Sequence, residues 1–395
     1  MTREQLVSIA RRSLEHRAAG TQDRAAGVLE VPVSNYIDPD RWALEMERVF
    51  RRLPVVVAAA CELDAPHSYI AGEFAGTPYL VTRGDDGELR AFYNMCSHRG
   101  AVVAEPGVGT ARRHTCRYHG WSYDGEGRLV GVLDAADVGV DKACYGLTPL
   151  ACAERAGLVW IWLTDQALVD IDTFLCGYGE VLELLDLRSC HAVGRQSIDG
   201  PNWKIAYDGY LDFYHLPILH RDTFGPQMSS KSMYDAWGPH QKVTSPDQGN
   251  EKLADTPEEE WRTKQLLGGV FTIFPHVSIA RFDANGSVWM ISLLSPGDDA
   301  GSSTTTQLFL HTREPDEAQA EVMRQVMAFN QHVVRDEDYS MGLRVQRALR
   351  SGGKAVNLFG RNEGGGQRFH TFLGELLDTP DDELAAFFKR SANDA

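Results

Sequence analysis

Two short segments constrain this chain more than any others: Cys96-Ser97-His98 and Cys116-Arg117-Tyr118-His119. The pattern is C-x-H, seventeen intervening residues, then C-x-x-H. Two thiolates and two imidazoles can bind zinc, or can hold a [2Fe–2S] cluster with both histidines on one iron. A zinc finger would pair Cys with Cys and His with His, whereas here each segment carries one of each. Gly100 and Gly120 flank the pairs, which suits two ligand loops approaching tightly from neighbouring hairpins. The surrounding sequence supplies those hairpins. Tyr79–Arg83 and Leu89–Tyr93 flank Gly84-Asp85-Asp86-Gly87; Trp121–Tyr123 and Arg128–Val132 flank Asp124-Gly125-Glu126-Gly127. With the apolar run Leu158–Leu163, these predict a small all-β domain.

The chain has seven cysteines in 395 residues, odd in number and widely spaced, which excludes a disulfide framework and points to a reducing, cytoplasmic compartment. Cys61, Cys144, Cys152, Cys176 and Cys190 have no His at ligand spacing and read as small buried hydrophobes. With 55 Asp+Glu against 39 Lys+Arg the net charge is −16, which excludes a nucleic-acid binder and disfavours anionic membranes. The longest apolar runs, Pro54–Cys61 and Leu158–Leu163, fall short of the ~20 residues that cross a bilayer. The first residues lack the apolar core of a signal peptide.

A second constellation lies downstream. Asn202–His215 has helical composition and is apolar and aromatic nearly all round, so the helix it predicts is buried. Asp208, Asp212 and His215 stand at i, i+4 and i+7, on one face. Two buried carboxylates need a cation, which a metal supplies. His220 follows five residues after His215, with Pro217 to turn the chain between them. Two His and one carboxylate make the facial triad of non-haem Fe(II) oxygenases. The carboxylate need not be local. In a long helix predicted from about Pro315 to Leu349, Asp338 lies on the apolar stripe of Met327, Val334, Met341 and Val345, while Asp336 and Glu337 point away.

Around these, residues 3–18 predict an amphipathic helix with Leu6, Ile9 and Leu14 on one side. Residues 222–265 are polar without a period and read as a lid or mobile loop. Gly269–Phe282, Ser287–Leu294 and Thr304–His311 predict three strands with a turn at Asn285-Gly286. The Gly364-Gly365-Gly366 run reads as loop. The expected boundaries are an N-terminal helical segment (1–45) packing on the catalytic domain, the β domain (46–165) and an α+β domain (166–395).

Taken together, Cys96-Ser97-His98-Arg99-Gly100, Cys116-Arg117-Tyr118-His119-Gly120-Trp121, the Asn202-Trp203-Lys204 helix, Asp212-x-x-His215-x-x-x-x-His220, and Glu337-Asp338 followed by Gln346 resemble the α subunit of Rieske non-haem iron oxygenases, the ring-hydroxylating family. The resemblance implies an α+β fold: a Rieske β domain inserted into a helix-grip catalytic domain with a large antiparallel sheet. It implies a [2Fe–2S] cluster on Cys96, His98, Cys116 and His119, and a mononuclear Fe(II) on His215, His220 and Asp338. Asp212 would link a cluster histidine of one subunit, His119, to His215 of its neighbour, within a homotrimer or an α3β3 assembly with a separate small subunit. Several family members have Asn where this chain has Asp208, which leaves a catalytic role for Asp208 near the iron open.

The implied reaction is O₂-dependent mono- or dihydroxylation of an apolar aromatic or alicyclic molecule, with oxidative demethylation as the alternative. No G-x-G-x-x-G unit stands in the chain, so electrons would come from a separate ferredoxin or NAD(P)H-dependent flavin reductase. A non-catalytic electron carrier with a ligand-binding domain, or a zinc-stabilised binding protein, are the competing classes. Phe271, Phe274, Met290, Ile291 and Leu293 suggest an apolar cavity; His276 or Arg281 could meet a substrate carboxylate or face water.

Overall fold

The computed structural model describes residues 2–248, 251–282 and 288–392. Two compact units emerge: Phe50–Ile171 with Leu187–Ser189, and Met1–Val49 with Asp172–Asp186 and Cys190–Ala395.

The smaller unit is built from short antiparallel strands. Thr77–Arg83 pairs with Leu89–Tyr93, and the register Arg83↔Leu89 closes the turn between them. Ser122–Asp124 pairs with Leu129–Gly131 across the second turn. Leu158–Ile161, buried throughout, lies between Cys152–Arg155 and Val55–Ala59. Leu80, Phe92, Trp121, Tyr123 and Leu129 form a core that includes Cys96 and Cys116.

The larger unit carries a seven-stranded antiparallel sheet. Its spatial order is His191–Gly200, Ser303–His311, Val288–Pro296, Val277–Phe282, Val270–Ile273, His240–Thr244 and Met233–Trp237. The polar stretch 222–265, expected to be a lid, contributes two of these strands. Their polarity hid them: Gln241, Lys242 and Thr244 are buried within the strand His240–Thr244, in a sheet whose neighbouring strands also carry buried Thr272, Ser278 and Ser292. Gly269–Phe282 is two strands, separated at the cis bond Phe274-Pro275. The predicted Asn285-Gly286 turn lies outside the described residues.

Two expectations are corrected, and the predicted long helix stands with one irregularity. The segment expected to be one helix to His215 stops early: Trp203–Asp208 is helical, a turn follows, and Leu216–Leu219 forms a separate helical turn. The helix Glu317–His332 starts on a reciprocal cap between Asp316 and Gln319, and then widens into a π segment, Val333–Tyr339, before Ser340–Leu349. The three glycines 364–366 open the helix Gly364–Asp378 rather than a loop. A Cβ on Gly365 would lie 2.8 Å from the Leu211 carbonyl, so close helix packing, and not a turn, explains the run.

The N-terminal stretch belongs to this unit. Glu45 is fully buried and accepts hydrogen bonds from Trp203 Nε1 (2.9 Å), Arg41 Nε (2.9 Å) and Lys204 Nζ. Asn202 caps the Trp203–Asp208 helix through Lys204 N–H, while its own N–H donates to Gln346 Oε1 at 2.6 Å. These bonds fix the helix from which the next residues turn into the site.

Candidate metal centres

In the smaller unit the two Cys/His loops are near copies of each other. In each, the Cys carbonyl accepts from the closing glycine: Gly100 N–H to Cys96 at 2.9 Å, Gly120 N–H to Cys116 at 3.0 Å. Both glycines have positive φ (77° and 73°), a conformation that suits glycine and strains other residues. Cys96 and Cys116 are buried, while His98 is exposed and His119 half-buried. The two imidazoles stand together, ring centroids 4.6 Å apart, and His98 stacks on Trp121 at 4.9 Å. Tyr123 hydroxyl lies 3.2 Å from Cys96 Sγ and accepts from Ser97 N–H at 3.0 Å. This donor set, sulfur ligands inside and imidazoles toward solvent, fits a Rieske cluster.

In the larger unit, His215, His220 and Asp338 offer ligand atoms that all lie within 4.8 Å of one another. His220 Nε2 is 3.2 Å and His215 Nε2 3.7 Å from Asp338 Oδ1. The opposite nitrogen of each ring is held by a carboxylate. His215 Nδ1–H donates to Asp212 Oδ2 at 2.9 Å, and His220 Nδ1–H to Glu337 Oε2 at 2.6 Å. Both lone pairs at Nε2 therefore face Asp338, the tautomer a metal requires. Burial disfavours charge on His220, yet Asp338 and Glu337 hold its pKa above the usual value. Three carboxylates around two imidazoles form a site whose chemistry asks for a cation, and a 2-His-1-carboxylate Fe(II) centre fits it.

Glu337 was expected to point away from the site. The π segment alters the register, so that two successive acids both reach His220. Thr223 Oγ1 also donates to Glu337, at 3.0 Å. Asp336 is turned outward, paired with Arg335 and His332. Asp208 is not brought to the triad. It accepts from Tyr36 hydroxyl and His370 Nε2, each at 2.9 Å, because the helix ends at this residue and the face it was to share with Asp212 and His215 does not exist.

A cavity of about 530 Å³ opens on the triad. Phe213, Phe224, Phe329, Tyr210 and Tyr339 line it beside His215, His220 and Asp338, and Leu6, Ile9, Ala10 and Ser13 of the N-terminal helix Thr2–Ala19 complete the wall. Of the five apolar strand residues proposed for the cavity only Met290 lines it. Phe271, Phe274 and Ile291 are core. His276 is buried, not solvent-facing, and Arg281 lines the cavity with its guanidinium over the Trp289 ring. Cys144 is exposed, contrary to its reading as a buried residue.

A β-rich unit with paired Cys/His loops and, in the same chain, an antiparallel-sheet unit with a 2-His-1-carboxylate triad define a class of protein suited to a cluster and a mononuclear metal. Comparison makes the class specific. Residues 54–141 match the Rieske [2Fe-2S] domain family, and residues 187–379 the family described as ring hydroxylating alpha subunit (catalytic domain). The chain is 29% identical over 220 residues to the glycine betaine monooxygenase oxygenase subunit of Chromohalobacter salexigens, covering 54% of this chain and 49% of that one. It is 31% identical over 247 residues to the benzene 1,2-dioxygenase subunit alpha of Pseudomonas putida, covering 55% and 53%. The chain thus spans about half the length of the curated relatives it matches. The fold matches that of the apo quaternary ammonium Rieske monooxygenase CntA with a TM-score of 0.72 at 23% identity, over 89% of this chain and 96% of that one. The chain belongs to the Rieske non-haem iron oxygenase α-subunit family, whose cofactors are a [2Fe–2S] cluster and a non-haem iron. No helix among the described residues is long and apolar enough to cross a membrane.

Proposed function

We propose that the protein is the terminal oxygenase component of a cytoplasmic multicomponent system, hydroxylating an apolar aromatic or alicyclic small molecule with O₂ and externally supplied electrons. One observation carries the reading: two imidazoles and a carboxylate converge on a cavity of small-molecule size, each imidazole oriented by its own acid. Cys96, His98, Cys116 and His119 would hold the cluster; His215, His220 and Asp338 would hold the iron. When bound, these groups supply one-electron delivery and reductive activation of O₂.

The chain's own residues prepare that chemistry. Asp212 and Glu337 keep a proton on each Nδ1, leaving Nε2 free to ligate. Phe213, Phe224 and Phe329 give the cavity an apolar wall, and Phe224 stacks on His220 at 4.7 Å, fixing the ring plane. In a monohydroxylation one oxygen atom enters a C–H bond and the other leaves as water, consuming two electrons and two protons. The electrons would come from a ferredoxin or a flavin reductase. They would cross between subunits of a homotrimer, or of an α3β3 assembly, through Asp212.

Oxidative demethylation is the second reading. It is favoured by the likeness to glycine betaine monooxygenase and by the aromatic side chains at the triad, which can face a quaternary ammonium. Oxygen uptake with a reductase, neutral aromatics, aromatic carboxylates and betaines, coupled to product analysis, tests both. Hydroxylated ring products support the first reading and formaldehyde release the second. Uptake with none of them, in protein carrying both metal centres, refutes both.

A further inference from the structure

The cavity wall holds a cation the sequence had not drawn attention to. Lys242 lies in the strand His240–Thr244, 2% exposed, and lines the same cavity as the triad. Its cross-strand neighbour is Asp235, whose Oδ1 accepts from Arg12 Nη2 at 2.8 Å and whose buried Oδ2 has no hydrogen-bond partner among the described residues, so this carboxylate reaches Arg12 and not Lys242. Lys242 makes no ion pair within 4 Å among the described residues. Nζ donates to one carbonyl, Leu266 O, at 3.3 Å, and lies 5.7 Å from the centre of the Phe271 ring. An ammonium has three donors, and a buried one with a single long hydrogen bond is under-satisfied. The wall supplies further polar groups: Thr244, Ser245 and Gln248 follow Lys242 along the chain and line the same space.

We infer that Lys242 is the anchor for a carboxylate on the substrate, so that the chain acts on molecules with an apolar body and one anionic end. The inference rests on the oxygenase reading and narrows it. The apolar body fits among Phe213, Phe224 and Phe329 beside the triad, and the carboxylate supplies the acceptors Lys242 lacks. A hydrocarbon would leave the ammonium stranded in the filled cavity, which is a cost against neutral ligands. Burial pushes the Lys242 ammonium down to about 8, with Asp235 pulling upward and the Arg12 guanidinium pushing further down. Affinity for an anion should therefore weaken as pH rises through 8.

Equilibrium binding by calorimetry on the as-purified protein tests this with benzoate, phenylacetate, 3-phenylpropanoate and cyclohexanecarboxylate, each against its neutral amide. At pH 7 the wild type should prefer at least one carboxylate over its amide by about tenfold to a hundredfold, as one charge-assisted hydrogen bond gives. That preference should fade above pH 8. Lys242→Met, which removes a buried charge while keeping the stem, should abolish the preference; Lys242→Arg should keep part of it. Thermal unfolding and the visible absorbance of the cluster establish that each variant is folded. Equal binding of every acid and amide by the wild type, or a preference that survives in Lys242→Met, overturns the inference. Oxygen uptake is read separately. A carboxylate preference with no uptake refutes the oxygenase reading and leaves the anion site standing. Uptake with neutral hydrocarbons alone refutes the anion site and leaves the oxygenase.

Discussion

His220 donates from Nδ1 to Glu337 at 2.6 Å, while its Nε2 faces Asp338, the very next residue, at 3.2 Å. Adjacent residues of a regular α-helix diverge by about 100°. Both acids meet one imidazole because the segment Val333–Tyr339 is a π-helix. A local irregularity of the backbone thus places Asp338, a candidate ligand, beside Glu337, the acid that orients His220.

Removing that orienting charge should weaken metal binding without touching the cluster. Glu337→Gln keeps the shape and an acceptor oxygen but lowers the basicity of His220. Iron affinity at the mononuclear site should drop by about 10- to 100-fold, the usual range for such partners. Fe(II) titration measures the loss, with the Rieske absorbance as internal control. Unchanged affinity would assign Glu337 to folding alone.

Neighbouring acids should separate cleanly. Asp338→Ala should abolish product formation and leave only the iron of the cluster, since one of three ligands is gone. Asp336→Asn should do neither, because Asp336 is turned outward onto Arg335 and His332. Iron counts on the two proteins, taken with turnover, decide the assignment; the reverse pattern would move the ligand to Asp336.

Much of the candidate site was legible because its chemistry is written in short spacings. The Cys/His loops and the His215–His220 pair lie close in sequence, and Asp338 stood out as an acid on an apolar stripe. Glu337 and Asp208 were misjudged for one reason: both were assigned faces on an unbroken α-helix. One helix widens into a π segment and the other ends at Asp208. The strands at 233–237 and 240–244 escaped because sheet hydrogen bonding buries Gln241 and Lys242 without an apolar alternation. Lys242 escaped with them, since a lysine in a polar stretch carries no sign that it will be buried.

The cluster should respond to Tyr123. Its hydroxyl, 3.2 Å from Cys96 Sγ, is placed to donate to a thiolate ligand. Hydrogen bonds to the sulfurs raise the potential of such clusters. Tyr123→Phe removes one, worth about 1 kcal/mol, so the midpoint should fall by about 40 mV for a one-electron couple. Protein-film voltammetry reads the shift directly. A potential that stays put would mean the hydroxyl serves Ser97 N–H alone.

Acid should destabilise the larger unit through His240. Its Nε2–H donates to Phe174 O at 2.8 Å and its Nδ1 accepts from Phe274 N–H at 3.2 Å, so only the neutral ring fits. Burial lowers its pKa to about 4 from an unfolded value of 6.5. The folded state disfavours the proton, so the unfolded chain binds more protons between those values. The stabilising contribution is complete above pH 6.5 and shrinks as pH falls toward 4, by roughly 3 kcal/mol in total. His240→Gln, which can both donate and accept but does not titrate, should flatten that part of the stability profile. Denaturant midpoints from pH 7 to pH 4 compare the two; parallel profiles would remove His240 from the account.

Asp212 offers the sharpest separation between structure and electron flow. It accepts from His215 Nδ1 at 2.9 Å and from the Tyr214 N–H, so within its own chain it orients a candidate metal ligand and shapes a turn. The proposed assembly gives it a second task, linking His215 to His119 of the partner subunit. Asp212→Asn preserves the size and an acceptor oxygen but removes the charge. Because His215, His220 and Asp338 remain, both metal centres should still load, at somewhat lower iron affinity. Transfer between the centres should slow severely, because the amide can no longer serve both imidazoles as an acceptor of charge-assisted hydrogen bonds. A purely local role predicts reduced stability or iron content instead, with transfer normal in the loaded fraction. Pre-reduced variant mixed once with O₂ and substrate, with iron counted and folding verified, distinguishes them through the rate at which the Rieske absorbance reoxidises. Reoxidation at the wild-type rate in fully loaded Asp212→Asn would exclude the bridging role.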